Sequence, residues 1–183
     1  NSGAMTDQPL SIAVVIPSYN VEREVEAVVQ SLPDWVTHVI AVEDASSDGT
    51  PEVLEALAGI HPHLTVLSHE RNVGVGGAMV TGYRKALELG VDIVVKIDGD
   101  GQMDPKHLAA LIQPIVEGRA DYAKGNRFRH LADLAGMPKR RLLGNIALTF
   151  MTKFATGYWH IFDAQNGFLA ITRVALESVP LDK

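Results

Sequence analysis

The chain has 183 residues, enough for one domain with a sizeable core, and its 46% apolar and 21% charged content excludes a disordered polymer. Twenty-two acidic against sixteen basic residues leave a net charge of −6, so a basic face that grips nucleic-acid phosphates is not expected. Cysteine is absent, which excludes disulfides, zinc–thiolate sites and cysteine nucleophiles.

In chain order, Asn1-Ser2-Gly3-Ala4 ahead of Met5 is expected to be a cloning scar, and the single domain is taken as residues 5–183. No basic and apolar leader follows. Ser11 to Pro17 reads SIAVVIP, a β-branched apolar run that predicts a strand buried on both faces. Glu22 to Leu32 carries Val25, Val28, Val29 and Leu32 at helical spacing, and Glu22, Arg23, Glu24 and Glu26 read as its solvated face. His38 to Val42 predicts a second strand. Thr50 is predicted to N-cap a helix with Pro51 in its first turn. Leu64 to Leu67 predicts a third strand. Gly76 to Leu89 predicts a helix ended by Gly90, with Val75, Met79 and Val80 serving packing. Asp92 to Ile97 predicts a fourth strand, and Asp104-Pro105 opens a helix to about Glu117 that Gly118 stops. Asp121 to Lys124 predicts a fifth strand. Phe128 to Lys139 has no clear period, Arg140 to Thr156 reads as helical, and Gly167 to Thr172 as a strand. A helical start at Val174 breaks off at Pro180-Leu181-Asp182-Lys183, as expected of a fragment whose continuation holds membrane segments. Within the chain, no run approaches the roughly 18 apolar residues of a membrane span.

Strands alternating with helices predict an α/β fold, a Rossmann-like, mostly parallel sheet with helices on both faces. Ligands of such sheets bind beyond the carboxyl ends of the strands. There the chain places Pro17-Ser18-Tyr19-Asn20, Glu43 to Thr50, Asp98 to Gln102 and Gly125-Asn126-Arg127. Asp98 and Asp100 stand one residue apart between glycines, and two carboxylates held close repel each other. A hard divalent cation relieves that repulsion, and Gln102 adds a neutral oxygen, so Mg2+ or Mn2+ is expected there. The plainer reading is an acidic turn capping the helix at Asp104. Asn72 to Gly77 is glycine-rich but follows the third strand, so it is not a dinucleotide fingerprint. His61-Pro62-His63 reads as a solvated turn, and Tyr158, Trp159 and Phe162 as core or interface.

IPSYN (16–20), VEDASSDGT (42–50), NVGVGGA (72–78), KIDGDGQMDP (96–105), GNRF (125–128) and DAQNGF (163–168) together resemble a family 2 inverting glycosyltransferase of the GT-A fold. The branch they resemble is that of the polyprenyl-phosphate sugar synthases, of the dolichyl-phosphate mannose synthase type. The resemblance spans Ile12 to about Ile171. It implies that Pro17 and Tyr19 line a nucleotide pocket, that Asp44 binds base or ribose, and that Asp98, Asp100 and Gln102 sit at the metal and the diphosphate. It implies that Arg127 and Arg141 meet an acceptor phosphate and that Asp163 lies in the motif closing the acceptor side. Asp100, Asp163 and Arg127 would then be the catalytic set. The donor would be a nucleotide-diphosphate sugar and the acceptor a polyprenyl phosphate, reached by a soluble fragment at the cytoplasmic face of a membrane. Glu43 stands where this branch usually has aspartate, Val21 replaces an acidic residue that often follows the first motif, and Asn145 stands where some relatives have serine.

The implied reaction is displacement at the anomeric carbon with loss of a nucleoside diphosphate. A lipid monophosphate is already largely ionised at neutral pH, its second pKa being about 6, so it needs no strong base. A sugar hydroxyl would need one, and Asp163 is the candidate. Three alternatives stay open: a soluble enzyme with a hydroxyl acceptor, a nucleotidyl transferase, and a nucleotide-sugar sensor. The second expects a glycine-rich or basic loop after the first strand, which IPSYN lacks; the third needs the base pocket but not the arginines.

Overall fold

The apolar runs become strands because both of their faces are covered. The computed structural model describes residues 9–125 and 167–181. Strand β1 (Ile12–Ser18) is buried at every position except Pro17, which is half-buried. It lies at the centre of a six-stranded sheet with β2 (His38–Glu43), β3 (Leu64–Ser68), β4 (Ile93–Lys96), β5 (Tyr122–Lys124) and β6 (Leu169–Thr172), in the order β3-β2-β1-β4-β6-β5. The β1, β2, β3 and β4 pairings are parallel, with Val15 beside Ile40 and Lys96. Strand β6 runs antiparallel to both β4 and β5. The mostly parallel sheet expected from the sequence is therefore present, with one reversed strand that no local pattern announced.

Alternate residues of each strand feed two separate cores. Val14, Ile16, Val39 and Val95 meet α1 (Val25–Gln30), α2 (Thr50–Ile60) and α4 (Leu108–Val116) on one face. Val15, Ile40, Val42 and Val94 meet α3 (Gly74–Leu89) and α5 (Arg173–Glu177) on the other. Each fully buried Val or Ile is worth about 1.5–3 kcal/mol relative to exposure, which is why polar residues collect at strand ends rather than within strands.

Three helix expectations change. Helix α1 starts at Val25 rather than Glu22, because the Val21 and Glu22 N–H groups donate to Thr50 Oγ1 and Asp48 Oδ2 and hold the chain in a loop. Thr50 is the first residue of α2, not its cap. Asp48 Oδ1 accepts from Thr50 N at 3.1 Å and from Thr50 Oγ1 at 2.6 Å, so Asp48 closes that end. A single 3-10 turn, Pro105–His107, precedes α4, and Asp104 caps it as expected by accepting from Lys106 N. The segments 128–139 and 140–156 lie outside the described residues. Among the described residues no helix is long and apolar enough to cross a membrane.

Helix α3 lies so close to β1 that a Cβ at Gly82 would overlap Val15 Cγ1, and both residues are buried. Gly82→Ala is therefore expected to destabilise the fold by about 1–3 kcal/mol through overpacking. Urea unfolding should show a lower midpoint at unchanged slope. An unchanged midpoint would mean that α3 can lift from the sheet at no cost.

Candidate functional site

Strands β1, β2 and β3 are laid down in one direction, and β4 then joins the opposite side of β1. The sheet therefore has its topological switch point between β1 and β4, and the crevice outside their carboxyl ends is where such folds bind ligands. A cleft of about 290 Å³ opens there, between Pro17, Ser18 and Tyr19 at the end of β1, Asp44 after β2, Asn72, Gly74 and Val75 at the start of α3, and Asp98, Gly99 and Asp100 after β4.

The loops after β1 and β2 are laced together. Ser47 N donates to Asn20 Oδ1 at 2.8 Å, Asn20 N to Ser46 Oγ at 3.1 Å, and Gly49 N to Glu22 Oε2 at 3.1 Å. Glu22 is thus a loop tie rather than the solvated helix residue expected. Asn20 (φ 53°) and Ala45 (φ 55°) sit in the left-handed region, a conformation that side chains other than glycine's adopt at a cost and that clusters at functional sites. The lacing holds Tyr19, which is 50% exposed, over the cleft.

Asp44 is 2% exposed, and its carboxylate is engaged from inside the protein. Oδ1 takes His69 Nδ1 at 2.7 Å and Val73 N at 3.0 Å, and Oδ2 takes Gly74 N at 2.8 Å. His69 Nε2 reaches Thr81 Oγ1 at 2.9 Å, so the chain Asp44–His69–Thr81 ties β2, β3 and α3. Gly74 has φ +81°, which turns its N–H towards Asp44. Burial pushes the Asp44 carboxyl up, but the hydrogen bonds from His69, Val73 and Gly74 outweigh it and hold the group below its ordinary value. Asp44 therefore shapes the glycine-rich loop that walls the cleft. Glu43, beside it and buried, accepts from Ser46 N at 2.6 Å, so the longer acid fits by bracing the same loop.

The acid–glycine turn forms the opposite wall. Asp98 Oδ1 pairs with Lys96 Nζ at 2.6 Å, and the Asp98 side chain is 31% exposed. Asp100 is exposed, and its Oδ1 accepts from Gln102 N at 3.1 Å. Among the described residues no three His, Asp or Glu side chains converge as a metal cage. Two carboxylates and a glutamine, with one oxygen of each carboxylate already engaged, fit a different kind of hard-cation site. Such a cation takes one or two protein carboxylates and fills its shell with substrate phosphate and water.

Of the residues singled out in the sequence, Pro17, Tyr19, Asp44, Asp98 and Asp100 come together in one cleft, with Gln102 adjoining Asp100. Val21, the departure from the first motif, also lines it. Val75 was expected to pack; it is 59% exposed and lines the cleft instead. Arg127, Arg141, Asn145, Tyr158, Trp159, Phe162 and Asp163 lie outside the described residues. His61 and His63 stand edge to face at 5.7 Å just before β3, at the far end of the sheet. Sequence reasoning missed Lys96 and His69. The first was signalled by a lysine inside the buried run VVKI, the second by its place directly after the third strand.

The family model described as "Glycosyl transferase family 2" matches residues 13–179. The chain is 35% identical over 179 residues to UDP-N-acetylglucosamine--dolichyl-phosphate N-acetylglucosaminyltransferase of Methanococcus voltae, covering 91% of this chain and 71% of that protein. It is 32% identical over 174 residues to polyprenol monophosphomannose synthase of Mycolicibacterium smegmatis, covering 92% and 64%. Among solved structures it is similar to the mannosyltransferase PcManGT from Pyrobaculum calidifontis in complex with GDP-Man and Mn2+, with a TM-score of 0.62, 22% identity and coverage of 96% and 49%. That likeness bears on the fold, and this chain spans about half the length of that one.

Proposed function

The chain belongs to glycosyl transferase family 2, and from that membership we propose that it moves a hexose from a nucleotide-diphosphate sugar to a polyprenyl phosphate, with inversion and with Mg2+ or Mn2+. The observation that carries this reading is the cleft at the β1–β4 switch point, where Tyr19 and the loop held by Asp44 face the acid–glycine turn. Two relatives whose names include dolichyl phosphate and a polyprenol support the choice of acceptor.

In this reading Tyr19 and Val75, both exposed at the cleft, hold the base, and Asp44 acts by fixing the 72–75 backbone beside it. Asp98, Asp100 and Gln102 would hold the cation, which when bound offsets the negative charge developing on the leaving diphosphate. Arg127 and Arg141 orient the acceptor phosphate through forked, charge-assisted hydrogen bonds. The acceptor is already ionised, so no general base is assigned; Asp163 takes that role only with a hydroxyl acceptor. Catalysis takes place at the cytoplasmic face of a membrane because the acceptor lies there.

The test is transfer from labelled UDP- and GDP-sugars to a short polyprenyl phosphate, with donor binding measured in parallel. Arg127→Lys and Arg141→Lys keep the charge but lose the planar fork, so transfer should fall by about tenfold while donor affinity holds. Wild-type transfer in both variants, or use of hydroxyl acceptors alone, overturns the lipid-phosphate assignment and leaves family membership standing.

A further inference from the structure

The proposed reaction leaves Lys96 without a part, although its position is unusual. Strand β4 is otherwise Ile93, Val94 and Val95, all buried, and the Lys96 side chain is itself only 11% exposed. Lysine is almost never fully buried unless paired, and its partner here is Asp98 Oδ1 at 2.6 Å. The pair is covered from the β6 side. A Cβ at Gly167 would overlap Asp98 Oδ2 and meet Lys96 Nζ at 2.5 Å and Met103 Cε at 3.0 Å. The backbone that leads into β6 therefore packs directly onto the ion pair, just before Leu169 registers with Lys96.

An ammonium ion fixed on one oxygen of Asp98 contests that carboxylate with any divalent cation. A cation on Asp98 or Asp100 would lie close to a like charge that cannot swing into bulk water, because its stem is buried in the sheet. A diphosphate in the cleft removes the conflict, since its negative charge attracts both the ammonium and the cation. We propose that Lys96 is a positioning residue that orients Asp98 and keeps the acid pair from holding a divalent cation until a nucleoside diphosphate arrives, so that cation and donor bind as a unit. The proposal rests on the reading of this cleft as the donor site.

The experiment uses the 183-residue chain and the variants Lys96→Met, Lys96→Gln and Lys96→Arg, each checked for folding by its urea midpoint. Free Mn2+ is followed by electron paramagnetic resonance, first with Mn2+ alone and then with UDP or GDP. The two neutral variants are expected to bind Mn2+ alone about tenfold more tightly than wild type, as removal of a nearby like charge requires. Lys96→Arg should match wild type. The gain in Mn2+ affinity on adding diphosphate should shrink in the neutral variants, because the lysine contests Asp98 only while the diphosphate is absent, and the gain in diphosphate affinity on adding Mn2+ must shrink by the same factor. A merely structural lysine predicts weaker binding or none, never tighter, and Lys96→Gln keeps the test open if the methionine variant fails to fold. Unchanged or weaker Mn2+ binding in the folded neutral variants overturns the proposal alone. No diphosphate binding by the wild type overturns the donor-site reading and the proposal with it, and a diphosphate affinity indifferent to Mn2+ overturns the proposal and the cation's place at the acid pair.

Discussion

Sugar transfer by Asp100→Ala is expected to fall by about 10²–10³-fold, the loss typical of removing one preorganised partner of a developing charge. Asp100 is exposed at the end of the acid–glycine turn, and its described hydrogen bond is with the backbone N–H of Gln102. Removing the carboxylate therefore empties no core and should leave the urea midpoint unchanged. The effect belongs to the chemistry: with Asp98 partly held by Lys96, Asp100 carries the less encumbered carboxylate of the pair. Titrating UDP or GDP with and without Mn2+ separates the cases. Wild type should gain affinity with Mn2+ and Asp100→Ala should not. A variant that keeps wild-type transfer and the Mn2+-dependent gain would place the cation elsewhere.

Asp44→Ala should act through stability as much as through binding. The substitution leaves the N–H groups of Val73 and Gly74 and the ring nitrogen of His69 without their acceptor in a partly buried setting. An unmade hydrogen bond of a buried donor costs about 1–3 kcal/mol, and because water reaches the partly exposed 72–75 loop the total should be about 1–3 kcal/mol. Because that loop walls the cleft, donor affinity should fall in parallel. The acid dependence gives a second readout. The folded-state pKa of Asp44 lies below its ordinary 3.8, so the stabilisation is fully present above 3.8 and is lost as pH falls through the lower folded value. The variant's stability should therefore decline less steeply below pH 3.8 than wild type's. An equal acid slope and an equal urea midpoint would show the Asp44 contacts to be energetically idle.

The parallel half of the sheet was legible because strands covered on both faces must be continuous apolar runs, as in SIAVVIP and VVKI. Helix α2 was legible from Pro51 in its first turn and α3 from Gly90, which ends it in the left-handed conformation at φ 68°. The acid–glycine turn was legible from its place at a strand end. Where legibility failed, some of the deciding contacts join residues far apart in sequence, and Lys96 with Asp98 shows that a near one can also be overlooked. Thr50 looked like a cap because caps are local, but its hydroxyl serves Val21, whose N–H lies on another loop. Asp44 was legible as a residue of the cleft, but nothing nearby in sequence revealed that His69 and the Val73–Gly74 backbone also bond to it. Lys96 is hidden by the motif that contains it, because a lysine inside an apolar run shows in sequence neither its burial nor its pairing with Asp98.

The reversed strand also fixes an order of assembly. Strand β6 lies between β4 and β5, so β5 has no partner in the sheet until the chain has run on from Gly125 to Leu169 and returned. During synthesis the β1–β4 half, with α1, α2 and α3, can close on local, right-handed crossovers while the growing edge at β4 stays open. That edge is a row of unpaired N–H and C=O groups, which invites pairing with another chain. Because the last contacts to form span a long stretch of sequence, their closure is entropically slow. Release of a chain ending before Leu169 should therefore yield a species with two cores begun, β5 stranded and a sticky border, whereas a few more residues at the ribosome exit let the sheet seal itself.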